Sequence, residues 1–185
     1  TPKINPFFIP KMIADSSSGQ ISIRNGFRGP NYVTVSACSS ANNAIIDAFN
    51  YIRTGRIHVC VTGGSEAPVT IASVGGFTAM HAMSTRNDDP ATACRPYDVD
   101  RDGFIVGEGA GALILEEYEH AKARGAKIYA ELIGGGFSSD AHHITAPHPE
   151  GYGALLSMLD ALEDAGIKPE EVDYINTHGT STPIG

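Results

Sequence analysis

Cys38 stands in Val35-Ser36-Ala37-Cys38-Ser39-Ser40, where a β-branched run gives way to an amphipathic segment. A thiol at such a strand-to-helix junction meets backbone N–H groups and the positive end of the helix dipole, and both favour the thiolate. The small Ala and Ser neighbours leave room for a substrate, which is the outline of a nucleophile elbow. A small, inert core thiol is the other reading of the same residues. His178 lies in Thr177-His178-Gly179-Thr180-Ser181-Thr182, after an apolar stretch. Loops after parallel strands often carry catalytic groups, and a Cys can pair with a His distant in sequence. A histidine bonded to its own loop backbone is the competing reading. Cys60, in Val59-Cys60-Val61, reads as a core thiol, and Cys94 as a loop residue without a role.

Three patterns imitate other chemistry. Asp98-Val99-Asp100-Arg101-Asp102-Gly103 opens like a calcium loop, but the position of the bidentate Glu is Gly109. Gly107-Glu108-Gly109-Ala110-Gly111-Ala112 fits a loose dinucleotide pattern, yet Leu113-Ile114-Leu115 follows as a strand rather than a helix. Asp140, His142, His143 and His148 lack zinc-ligand spacing and read as solvated or locally bonded. No cofactor and no metal are expected.

The elements that must position Cys38 and His178 follow from periodicity. Residues 31–37 read as a buried strand, with Ser39 or Ser40 capping the next helix. Ala44, Ile45, Ala48, Phe49 and Ile52 form one helical face, ended by Gly55. Residues 57–62 read as a strand closed by Gly63-Gly64, and 110–115 as a second buried strand. Residues 116–124 read as a solvated helix, and 128–133 as a strand entering Gly134-Gly135-Gly136. Ala154, Leu155, Met158, Leu159 and Leu162 line another helix, stopped at Gly166. Residues 172–176 form the last strand. This alternation predicts an α/β fold with parallel pairing and covering helices. The polar run 15–19 is the nearest approach to a break.

The chain has 185 residues, a net charge of −8, 42% hydrophobic and 18% charged residues. That supplies material for a core and argues against general nucleic-acid binding, which needs clustered Lys and Arg. No run approaches the roughly 18 apolar residues of a membrane helix. Three separated cysteines point to a reducing compartment, so a cytoplasmic location is expected. The ends lack the features of natural termini, which predicts a piece of a longer protein.

Together these segments resemble a known family. Asn5-Pro6-Phe7-Phe8-Ile9-Pro10, Ser36-Ala37-Cys38-Ser39-Ser40, Gly63-Gly64-Ser65-Glu66 and Met83-Ser84-Thr85-Arg86-Asn87-Asp88 carry the likeness. So do Arg95-Pro96-Tyr97-Asp98, Arg101-Asp102-Gly103-Phe104, Gly107-Glu108-Gly109-Ala110-Gly111 and His178-Gly179-Thr180-Ser181-Thr182-Pro183. In this order the chain resembles the β-ketoacyl-[acyl carrier protein] synthases, most closely the elongating type II of bacterial fatty-acid synthesis.

The resemblance implies a thiolase-like fold of α/β/α/β/α layers, here incomplete, and a homodimer. Residues 1–115 would be the end of the N-terminal half and 116–185 the start of the C-terminal half. Half of such a fold would expose a wide apolar face. Cys38 matches the acyl-accepting nucleophile, His178 the first active-site histidine, and Thr180 and Thr182 the hydroxyls that hold the phosphopantetheine arm. The family's second histidine, its lysine and its Gly-Phe-Gly-Gly loop lie downstream of these motifs. The implied reaction is decarboxylative condensation of an acyl-enzyme with malonyl-acyl carrier protein, giving the 3-oxoacyl carrier and CO₂. The implied partner is acyl carrier protein, steered by Lys3, Lys11, Arg24 and Arg28. Other readings are a polyketide or aryl-polyene ketosynthase, an inactive fragment or partner subunit, and a cysteine hydrolase. The last lacks a Cys-Gly-Ser-Cys-Trp signature in a chain without Trp.

Overall fold

A computed structural model describes residues 4–184. They form two compact units, residues 4–64 with 111–169 and residues 65–110 with 170–184.

In the first unit, α1 (Phe8–Met12) and α2 (Ser16–Asn25) come first. The polar run expected to break the chain is the first turn of α2, which ends at Gly26 with φ 68°. Ser18 Oγ turns back onto the Asp15 carbonyl at 3.0 Å, so hydroxyls that favour a loop in sequence are satisfied locally. The helix α3 (Ser40–Arg53) carries the predicted apolar face and buries Ala48. Gly55 follows with φ 71°.

The strands β1 (Val59–Glu66) and β2 (Gly109–Glu116) form a two-stranded sheet. The Glu117 N–H donates to the His58 carbonyl at 2.8 Å, while Gly63 lies against Gly111 and Ala112. Position numbers fall on one strand as they rise on the other, so this pair is antiparallel and not parallel as expected. Antiparallel pairs outnumber parallel ones overall, and α/β sheets often carry one. Nor do the glycines close β1, which runs through them to Glu66. Gly63 has φ 149°, and a Cβ there would sit 2.9 Å from the Ala112 Cα. Leu113 and Ile114 of β2 are exposed, not buried.

Two helices complete this unit, α5 (Tyr118–Ala123) and α6 (Tyr152–Ala165). The Glu117 carboxylate caps α5, accepting from Glu119 N at 3.1 Å and His120 N at 2.7 Å. Gly166 ends α6 with φ 67°. The expected strand 128–133 has no ladder among the described residues. The backbone just beyond it bonds to α6 side chains instead: Gly135 N to Asp164 Oδ2 at 2.9 Å, Phe137 N to Asp160 Oδ2 at 2.8 Å. A Cβ at Gly134 would lie 2.7 Å from the Ala165 nitrogen and one at Gly136 2.5 Å from the Ala161 nitrogen, so these two rest on the α6 backbone, while Gly135 faces Ile46 of α3. The expected strand 31–37 likewise carries no ladder; Ser36 N donates to Ser40 Oγ at 2.8 Å.

The second unit contains α4 (Ile71–Ala79), which periodicity did not single out. Thr70 caps it, its Oγ1 accepting from Ser73 N at 3.2 Å. Phe77 meets Phe104 edge-on at 5.0 Å. Phe104 also pairs through its backbone with Ala82 (3.0 Å) and Ser84 (3.1 Å). Ala93 and Ser181 are buried here, at 1% and 2% exposure. The expected strand 172–176 has no ladder partner among the described residues.

Candidate active site

Cys38 is exposed, one residue after Ala37 and two before the start of α3. Ala37 has φ 51°, a left-handed conformation that alanine rarely adopts. Four side chains hold that turn. Ser39 Oγ donates to the Ser36 carbonyl and Ser40 Oγ to the Ala37 carbonyl, both at 2.7 Å. Asn43 Nδ2 donates to Ser36 Oγ at 2.7 Å, and Thr34 Oγ1 to the Ser40 carbonyl at 2.7 Å. Ser39 and Ser40 thus point back at the turn, and neither makes the expected side-chain cap on α3. The result is a sharp, over-determined bend that presents the thiol at a helix N-terminus. Cys60 is half-buried in β1, and burial pushes its thiol pKa up. Cys94 is exposed.

His178, Thr180 and Thr182 belong to the second unit, and Cys38 to the first. The Thr180 and Thr182 hydroxyls bond to each other at 2.7 Å. Between them Ser181 is the anchor: its Oγ accepts from Arg95 N at 3.0 Å, and its carbonyl from Gly103 N at 2.9 Å. Arg101 donates to the Thr182 and Pro183 carbonyls, each at 2.9 Å. The Tyr97 hydroxyl shares a hydrogen bond with Thr177 Oγ1. So Arg95, Tyr97, Arg101 and Gly103 hold the histidine loop from about eighty positions away. Their motifs stand out in the sequence, but these contacts do not, because no local signal marks a partner that distant.

The imitating patterns have local explanations. Asp98 Oδ1 accepts from Asp100 N at 2.8 Å and Asp102 Oδ2 from Thr85 N at 3.1 Å. Hydrogen bonds from Ser84 and Thr85 hold the Asp102 pKa below the ordinary carboxylate value. Residues 109–116 are strand, not the helix a dinucleotide site needs. His143 Nδ1 accepts from Thr145 N and Ala146 N at 3.2 and 3.1 Å. Among the described residues no cluster of three His, Cys, Asp or Glu could hold a metal. Lys11 and Arg24 lie in the last turns of α1 and α2, and Arg28 is exposed; Lys3 lies outside the described residues.

The beta-ketoacyl synthase N-terminal domain profile matches residues 1–121, and the C-terminal domain profile residues 129–185. The chain belongs to the β-ketoacyl synthase family. It is 52% identical, over 99% of its length, to 3-oxoacyl-[acyl-carrier-protein] synthase 2 of Staphylococcus aureus, and covers 45% of that protein. The mitochondrial 3-oxoacyl-[acyl-carrier-protein] synthase of Arabidopsis thaliana is also 52% identical over 99% of the chain, which covers 40% of it. The chain therefore spans less than half the length of these curated relatives. A β-ketoacyl synthase structure from Burkholderia phymatum superposes with a TM-score of 0.91 at 40% identity, over 98% of this chain and 44% of that one. A type II polyketide ketosynthase, bound to a hexaketide and complexed with its acyl-carrier protein, gives 0.92 at 37% identity, over 97% and 44%. The fold is accordingly the α/β, thiolase-like fold of the ketosynthases, represented in part.

Proposed function

We propose that the full-length protein is an acyltransferase that elongates fatty-acyl chains by decarboxylative condensation on acyl carrier protein. The observation that carries this reading is Cys38, an exposed thiol set by the Ala37 bend at the N-terminus of α3. It lies in a chain 52% identical to relatives named 3-oxoacyl-[acyl-carrier-protein] synthase 2.

The Cys38 thiolate attacks the carbonyl carbon of an acyl-carrier thioester, the C–S bond to the carrier breaks, and the pantetheine sulfur leaves as a thiolate that takes a proton from water. Malonyl-carrier then enters, its arm held by Thr180 and Thr182. Its C–C bond to the carboxylate breaks, releasing CO₂ and leaving an enolate on the carrier thioester. That oxygen gains negative charge, and His178 donates a hydrogen bond to it. The enolate carbon attacks the Cys38 thioester, the C–S bond breaks, and the thiolate returns. The product is a 3-oxoacyl carrier longer by the two carbons malonyl contributes.

Residues 1–115 would close the N-terminal ketosynthase half, and 116–185 open the C-terminal half. A homodimer in the cytoplasm is part of this reading. Three free thiols support a reducing compartment, and no helix among the described residues is long and apolar enough to cross a membrane. A polyketide ketosynthase is the second reading, favoured by the superposition on a polyketide enzyme.

Incubation of the full-length protein with acyl- and malonyl-carrier tests the proposal. Fatty-acid elongation gives one condensation, with one CO₂ per 3-oxoacyl product, and none in Cys38→Ala. Repeated condensation without reduction would establish the polyketide reading, and neither product would refute both.

A further inference from the structure

We infer that Tyr97 is a positioning residue for His178, gripping its loop on both sides of the histidine. The inference rests on the role proposed above for His178. Thr177 precedes the histidine, and its Oγ1 shares a hydrogen bond with the Tyr97 hydroxyl. Gly179 follows it with φ 44°, and a Cβ there would lie 2.8 Å from the Tyr97 Cζ. One phenol ring therefore fixes the residue before His178 and fills the side-chain space of the residue after it.

Packing among the described residues does not account for this tyrosine. Within this chain it is 68% exposed, so its ring buries little area against them. Yet its backbone is held at φ 64°, an outlier for an aromatic residue. A neighbouring frame imposes that conformation. The Asp98 N–H donates to the Arg95 carbonyl at 3.2 Å and closes the turn. Arg95 N anchors the turn on the buried Ser181 Oγ at 3.0 Å, in the same loop as His178. An unfavourable backbone retained at an exposed position, aiming a polar group at one partner, is where strain serves a site. A donor to a developing oxyanion must be placed to a fraction of an ångström.

The test compares two half-reactions in the full-length protein: acyl transfer from acyl-carrier to Cys38, and CO₂ release from malonyl-carrier. Tyr97→Phe removes the hydroxyl and keeps the ring; Thr177→Val removes its partner at equal volume. Each is expected to slow CO₂ release about tenfold or more, as small misplacements do, with acyl transfer within about twofold. The double variant is expected to be no worse than either single one, since both break one bond. Unchanged CO₂ release in Tyr97→Phe would overturn the inference. So would a parallel loss of both half-reactions with a lowered melting temperature, which marks a merely structural role. His178→Ala runs alongside: if it releases CO₂ at the normal rate, the underlying reading fails as well. A slow His178→Ala beside a normal Tyr97→Phe refutes the positioning role alone.

Discussion

Arg101 and Thr182 are joined by a hydrogen bond from the guanidinium Nε to the Thr182 carbonyl at 2.9 Å. The same guanidinium reaches the Pro183 carbonyl from Nη2 at 2.9 Å and the Asp98 carbonyl from Nη1 at 2.8 Å. One planar cation thus ties the end of the histidine loop to the Asp98 turn. Charge-assisted bonds of this kind are about twice as strong as neutral ones, and the fork demands arginine.

Arg101→Ala leaves these carbonyls to water, and a cost on the order of 2 kcal/mol in stability is expected. Arg101→Lys recovers less than half of it, because a single ammonium cannot span three carbonyls. Denaturant unfolding of the two variants checks the ranking.

Acid should weaken the protein through Glu116. Its carboxylate accepts from Arg124 Nε and Nη2 at 2.7 and 2.6 Å and faces His120 Nδ1 at 2.5 Å. The Arg124 hydrogen bonds, ahead of that with His120, lower its pKa from 4.5 to about 2. A depressed folded-state pKa stabilises above the unfolded value and is lost as pH falls through the folded one. Stability attributable to Glu116 is therefore full above about pH 5 and disappears toward pH 2. Unfolding measured from pH 6 to 2 should show a shallower decline in Glu116→Gln than in the parent; identical slopes would contradict the assignment.

Gly63→Ala should unfold the β1–β2 pair. The φ of 149° disfavours any side chain, and the added methyl would meet the Gly111–Ala112 backbone. Backbone strain of this type alone costs about 1–3 kcal/mol, and a loss of at least about 2 kcal/mol is expected from circular dichroism melts.

The three thiols should react in a fixed order. Cys38 and Cys94 are exposed, while Cys60 is half-buried with a raised pKa. Since the thiolate is the reacting form, limited alkylation with iodoacetamide at pH 7.5, mapped by peptide mass, should label Cys60 last.

What the sequence made legible was local. The face of α3 followed from five apolar positions, and the ends at Gly26, Gly55 and Gly166 are glycine-compatible left-handed turns. Gly55 and Gly166 were readable in advance, but Gly26 was hidden because serines 16–18 mimic a loop. The direction of the β1–β2 pair was not legible, since it depends on where a long intervening segment returns the chain. Nor were the strands at 31–37, 128–133 and 172–176 separable from unpaired segments, because a ladder needs a neighbour. At the candidate site, residue type and setting single out Cys38 and His178 as candidates. The Ala37 bend and the Arg101, Tyr97 and Ser181 contacts could not, because each depends on φ or on partners far along the chain.

The central claim is that Cys38 accepts an acyl group, and intact-mass spectrometry before and after incubation with an acyl-carrier thioester tests it most directly. The account predicts a mass gain of one acyl group, abolished in Cys38→Ala and unaffected in Cys94→Ala. No adduct on the folded full-length protein, or an adduct that persists in Cys38→Ala, would contradict it.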